Sequence, residues 1–432
     1  MDIFITSRLI TIITTTLLLY SWIFLVKERG VRIFFIFFIV MYLLYSGIGG
    51  ALMYISNQYQ YYYIAFTTCI SIGLFFGLKS INNNRLPRRK FWSGFLKIFI
   101  KRYANTIIIL YLLSQILPLV YPVFRLTDLI HPPQPDFVNM LFERFNNGQK
   151  DVVLSINSLA SSLIFPFYLL SLYKYRKKTL TLSILVLAPY YFQYCIQAYI
   201  GRSVMLYAII IILGTTYYSR PKLRKPIICI SAVSIPTIIV FFVQYSIIRA
   251  GGVTENLDFE EAFSTLLEQE SGYPLHFDDI LLLQGNHIGS YFVWLFTMPF
   301  PGFVRGGLDV HFAAMFSEDI LGRARTGTGF YILLPGIVGE SVYLLGKQLF
   351  WINGLLYGFL MGVVYRFLTR YPQLLCILLY AAIDFGYVTN RAGFFGGFPF
   401  IGKILVYFFI ILYLFKHYSN WKINYKTGLR KG

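Results

Sequence analysis

Apolar runs of about 20 residues recur along this chain, separated by short connectors rich in Lys and Arg. Few folds accommodate that pattern. A helix rising about 1.5 Å per residue needs about 20 such residues to cross the roughly 30 Å hydrocarbon core of a bilayer. Strands of a membrane barrel would be shorter and would alternate polar with apolar residues, and these runs do not alternate. Composition agrees, because 57% of the 432 residues are hydrophobic and 13% are charged, against roughly a quarter charged in a soluble domain. The expected fold class is all-α, a polytopic integral membrane protein with about eleven transmembrane helices. They are placed near 9–26, 33–54, 61–78, 104–123, 151–173, 180–199, 203–218, 227–247, 348–365, 372–389 and 398–415.

Charge sets the expected orientation. Arg8 is the only basic residue before the first run, whereas Lys27, Glu28 and Arg29 follow it. A cleavable signal would carry its positive charge before the apolar stretch, so an uncleaved first helix with its N-terminus outside is expected. The connectors 27–32, 79–103, 174–179, 219–226, 366–371 and 416–432 then face the cytoplasm. They hold 26 of the 38 Lys and Arg residues and, of the 19 acids, Glu28 alone. This is the positive-inside pattern, and it makes the C-terminus cytoplasmic. The formal charge of +19 is therefore read as topology and contact with anionic membrane lipids. A nucleic-acid surface would gather the basic excess on one face; here six segments share it, so no nucleic acid is expected as partner.

Three parts follow. Residues 1–247 form an eight-helix membrane bundle, 248–347 a large outer loop with a re-entrant segment, and 348–432 a three-helix membrane part with a basic tail. Cys69, Cys195, Cys229 and Cys376 all lie in apolar runs without a CxxC, which marks packing residues. No Gly-rich phosphate loop and no His pair with metal-ligand spacing is present, so neither cofactor nor metal is expected. The Tyr patches Tyr61–Tyr63 and Tyr217–Tyr218 are read as interfacial aromatic belts.

The outer basic residues are selective: nine are Arg and three are Lys, whereas inside Lys leads Arg 14 to 12. A guanidinium fork matches phosphate bidentately, and an ammonium is a point charge, so the outer arginines point to an anion. Arg8, Arg125, Arg144 and Arg323 are read as partners of outer carboxylates. Arg202, in QAYIGRSVMLYAII, is held at a tight turn between two apolar runs, where a charge is expensive and usually functional. Arg391, in VTNRAGFFGGFPF, and Arg249, closing FFVQYSIIRAGG, occupy similar helix ends. The outer loop begins with an acidic stretch read as a solvated amphipathic helix. It continues through an aromatic, Pro/Gly-broken segment carrying His287, Arg305, Asp309 and His311. Its last part carries Arg325, Pro335 and Glu340 and is too broken for a plain span. It is expected to be half inserted and to line a cavity, since irregular backbone at that depth needs protein or a cavity around it.

The run RTGTGFYILLPGIVGESVYLLGKQLFWINGLLYGFLMGVVYR, from Arg325 to Arg366, resembles the signature of O-antigen (Wzy-type) polysaccharide polymerases. The shared features are the turn Thr326–Gly329, Pro335, the Gly339–Glu340–x–x–Tyr343 element, Gly346, and the small residues Gly354, Gly358 and Gly362. IGRSVML around Arg202 resembles the family's arginine-bearing turn, whereas residues between Arg249 and Arg325 match nothing in it. The resemblance implies a bacterial inner-membrane glycosyltransferase that joins undecaprenyl-pyrophosphate-linked oligosaccharide repeat units on the outer leaflet, without metal or nucleotide, with a chain-length regulator protein as a further partner. Under it Arg202, Arg249, Arg305, Arg325 and Arg391 are expected to bind the pyrophosphate. Glu340, His311 or His287 would act as the base that activates the acceptor hydroxyl. Two rivals share the pattern: an O-antigen ligase-like glycosyltransferase, and a polysaccharide transporter or flippase.

Overall fold

The computed structural model of this chain describes residues 3–21, 29–52, 57–80, 89–134, 151–249, 260, 264–265, 273–283, 287–298, 300, 312–324 and 332–428. Long helices dominate: α1 (Ile3–Tyr20), α2 (Arg29–Tyr42), α3 (Gly49–Leu52), α4 (Asn57–Ser80), α5 (Arg89–Val120), α6 (Val152–Leu172), α7 (Thr179–Gln197), α8 (Arg202–Ser219) and α9 (Arg224–Arg249). After the short α10 (Phe277–Leu282), α11 (Ile288–Thr297) and α12 (Phe312–Leu321) come α13 (Gly336–Arg370), α14 (Leu375–Ile383), α15 (Thr389–Ala392) and α16 (Phe394–Gly428). Among the described residues eight helices are long and apolar enough to cross a membrane, and a ninth span arises if the bent pair α8–α9 counts as one. The protein is an all-α, multi-pass membrane protein. Each of the eleven expected spans overlaps one of these helices, although α8 and α9 meet at 119° instead of forming a hairpin.

Glycine sets the closest helix contact. A Cβ on Gly358 of α13 would lie 2.1 Å from the Ile70 carbonyl oxygen of α4; one on Gly73 would lie 2.2 Å from that of Leu355, and one on Gly77 2.3 Å from that of Phe359. Two backbones therefore meet with no side chain between them. Without a hydrophobic driving force between helices in lipid, such close packing is what holds a pair together. The expected Gly354/Gly358/Gly362 row is this surface, and Gly73 and Gly77 answer it from α4.

An aromatic core fills the space around that pair. Tyr63 is fully buried, stacks on Tyr42 at 5.2 Å and shares a hydrogen bond with Thr16 at 2.8 Å. The Tyr61–Tyr63 patch is therefore not one interfacial belt. Tyr61 is 70% exposed, Tyr62 packs on Phe277 and Phe350, and Tyr63 belongs to the core, because successive helical positions face different directions. The four cysteines are free thiols.

Among the described residues two π-helical turns interrupt the ladders, Leu43–Ile48 after α2 and Asp384–Val388 after α14. They meet through Tyr45 and Tyr387, whose rings are 5.9 Å apart. Single π turns inside α-helices often mark functional positions.

Candidate functional site

The arginine ends come first. Tyr207 of α8 stacks on Tyr380 of α14 at 4.3 Å, and further along Thr215 meets the Cys376 thiol at 3.6 Å. Rising numbers on α8 thus face falling numbers on α14, so the two helices are antiparallel. Arg202 opens α8 five residues before Tyr207, and Arg391 follows Asp384 by seven. At about 1.5 Å per residue, both lie roughly 7–11 Å beyond the Tyr207–Asp384 contact, at the same end of the pair. Arg391 is half-buried, and its guanidinium donates to the Tyr387 hydroxyl at 3.4 Å. The side chains of Arg202 and Arg249 lie outside what the structure describes, as do residues Arg305, Arg325, Asp309 and His311. Since α9 leaves α8 at 119°, the contacts among described residues do not carry Arg249 to the Arg202 end.

Beneath this end sits a carboxylate to which the sequence reading gave no role. Asp384 is fully buried and accepts from the Tyr207 hydroxyl and the Ile401 amide, each at 3.3 Å. Pro399 lies within α16 two residues before this Ile401 amide. Around it Thr389 donates to the Asp384 carbonyl at 2.8 Å, and Tyr357 to that of Phe385 at 2.6 Å. The signal for Asp384 was available: a lone acid within a span is functional by default.

Glu340 lies in the first half of α13. Residues 336–345 are all buried and helical, and Gly346 then breaks the helix with φ +74°. Of the expected irregular segment, 332–335 is non-helical and 336–345 is a ten-residue helix enclosed by protein, followed by a break that glycine permits; residues 325–331 lie outside the described residues. Both Glu340 carboxylate oxygens accept from the Phe395 amide at 3.3 Å. They cap the N-terminus of α16, where unpaired amides and the helix dipole favour an anion. Gly393, at φ +86°, forms the turn into that helix. A Cβ there would meet the Glu340 carboxyl at 2.3–2.4 Å, so both backbone and space require glycine. Tyr291 of α11 stands alongside, and burial, then the Glu340 charge, push its hydroxyl up to about 12.

A second cluster lies beside the first half of α13. His287 Nε2 is 3.5 Å from Asp319 Oδ2, and the Tyr343 hydroxyl donates to the same oxygen at 2.5 Å. The His287 and Tyr343 rings lie 4.6 Å apart. Three elements fix the group. The His287 amide, at the head of α11, donates to the Leu344 carbonyl at 3.2 Å. Ser317 of α12 donates to the Ala313 carbonyl at 2.6 Å and accepts from the Leu333 amide at 2.8 Å, tying α12 to the segment that leads into α13. The His287 and Asp319 side chains remain 23% and 42% exposed. The sequence pointed to His287 and Tyr343 but not to Asp319, which resembles any solvated acid of a short helix. Among the described residues no group of three His, Cys, Asp or Glu side chains has a geometry that could hold a metal ion.

No protein-family model, no curated protein and no solved structure matches the chain.

Proposed function

We propose that the protein is a membrane glycosyltransferase that polymerises oligosaccharide repeat units carried on a lipid pyrophosphate, working at the non-cytoplasmic side of a bacterial inner membrane and building O-antigen or a related surface polysaccharide. The observation that carries this reading is the antiparallel α8–α14 pair, which sets the helix ends bearing Arg202 and Arg391 at one level. Rigid guanidinium forks there suit the negative charge that develops on phosphate oxygens as the lipid pyrophosphate leaves, and preorganised donors of this kind stabilise a transition state strongly. Arg249, Arg305 and Arg325 remain proposed contributors from the outer segment. His287, half-open and beside a carboxylate, suits the base that takes the acceptor hydroxyl proton. His311 is a proposed alternative; Glu340, held at a helix N-terminus, suits positioning of the Arg391 turn better than proton transfer.

One observation favours a carrier instead. A helix broken at Gly346 and two buried carboxylates, Glu340 and Asp384, are features that ion-coupled transporters use. Arginine-to-lysine substitution separates the readings. Arg202→Lys and Arg391→Lys keep the charge but lose the fork. In cells making the polymer they are expected to leave single-repeat glycans at normal protein level. Wild-type chain lengths in both variants would reduce these residues to membrane anchors and remove the main support for the polymerase.

A further inference from the structure

Asp319 stands where an orienting carboxylate would stand for a histidine base, and the polymerase reading does not by itself assign it. Its Oδ2 faces His287 Nε2 at 3.5 Å. That is longer than a settled hydrogen bond, as catalytic contacts often are before substrate arrives. The Tyr343 hydroxyl donates to the same oxygen at 2.5 Å, which fixes where the carboxylate sits, while the Tyr343 ring backs the imidazole. The His287 amide is itself tied to the Leu344 carbonyl. The imidazole is thus held by its backbone, by a ring and by a carboxylate from three different elements. Among the described residues, the charged and titratable groups facing it are Asp319 of α12 and Tyr343 of α13, with Glu318 contributing further negative charge at Tyr343.

Which ring nitrogen carries the proton is set by what the other nitrogens meet. A carboxylate oxygen accepts only, so an Nε2–H is the tautomer that can pair with it as the contact shortens. We propose that Asp319 is a positioning residue that holds His287 in the Nε2–H tautomer, leaving Nδ1 to receive the proton of the sugar hydroxyl that attacks. This rests on the glycosyl-transfer reading above. In that step the hydroxyl oxygen forms a bond to the anomeric carbon of the donor. The bond from that carbon to the lipid pyrophosphate breaks, and its electron pair leaves with the phosphate oxygen. The proton passes to His287 Nδ1 and then to water. The Asp319 charge faces the imidazolium as it forms, and the Tyr343 hydroxyl keeps the carboxylate from turning away.

The tautomer is measurable without substrate. Full-length protein labelled with ring-¹⁵N histidine in lipid nanodiscs gives tautomer-specific nitrogen shifts, with His287 identified by the signals lost in His287→Gln. Neutral His287 is expected as the Nε2–H form in the wild type and as a mixture in Asp319→Asn. That change is nearly isosteric at a partly exposed side chain. A wild-type Nδ1–H form, or an Asp319→Asn spectrum identical to wild type, overturns the proposal. With a synthetic undecaprenyl-pyrophosphate-linked oligosaccharide as probe, Asp319→Asn is expected to lower kcat by about 10²- to 10⁴-fold. KM should change by less than about threefold, since the residue acts on the proton-transfer step and not on binding, and Asp319→Glu should recover part of the rate. Unchanged kcat in Asp319→Asn also overturns it. A wild-type protein that elongates no probe counts against the polymerase reading alone, and the tautomer measurement still decides the pairing.

Discussion

Glu340 and Gly393 form one unit, a carboxylate delivered from α13 to the open end of α16 and a glycine that leaves room for it. Replacing Glu340 by Gln keeps an oxygen for the Phe395 amide but puts an amide group where the second carboxyl oxygen accepts. A capping loss of about 1–2 kcal/mol is expected, seen as a thermal midpoint lower by a few degrees. Turnover of the folded Glu340→Gln enzyme should stay within about tenfold, because this account gives proton acceptance to His287. His287→Gln should instead lose about 10²-fold or more at unchanged midpoint. A Glu340→Gln protein as stable as wild type but a hundredfold slower would return the base to Glu340. The sequence made Glu340 conspicuous, since a carboxylate between Gly339 and Ser341 in an apolar stretch needs a partner or a task. It did not reveal that the partner is an amide 55 residues on, because backbone donors leave no compositional trace. For the same reason Asp319 could not be matched to His287: the two meet only once α11, α12 and α13 have packed.

At the scale of elements, the α4–α13 pair gives the sharpest test. Gly358→Leu places side-chain atoms against the Ile70 carbonyl, a backbone atom that cannot yield without moving α4. A loss of roughly 3 kcal/mol or more is expected, beyond ordinary overpacking, measured as lower yield and midpoint in detergent. Gly94→Ala is the control. A Cβ at Gly94 meets nothing within 4 Å, and its midpoint should match wild type. Equal behaviour of the two variants would show that the glycine row does not set the helix approach. The Gly354/Gly358/Gly362 spacing made one half of this contact legible. The other half, Gly73 and Gly77, was not assigned, since spacing within a helix says nothing about which distant helix it will meet. Helix positions followed from hydropathy alone, but the π turns, the break at Gly346 and the 119° bend between α8 and α9 depend on packing that hydropathy does not encode.

For the whole molecule, the basic connectors make topology the first prediction. Reporter fusions at Asn83 and Thr427 are expected to read cytoplasmic, and one at Glu260 to read outside. A cytoplasmic signal at Glu260 would invert the scheme and move every proposed site residue to the wrong leaflet. Function rests on that sidedness, because a lipid-pyrophosphate clamp at Arg202 and Arg391 has its substrate only on the outer side. The central claim is chain elongation, and the direct measurement is a reconstituted one. Purified protein in nanodiscs is given undecaprenyl-pyrophosphate-linked repeat units, and the products are read by mass. The account predicts a ladder of multiples of the repeat with release of undecaprenyl pyrophosphate, lost in Arg391→Lys. Repeat units recovered unjoined from wild-type protein, or moved intact across proteoliposome membranes, would contradict it.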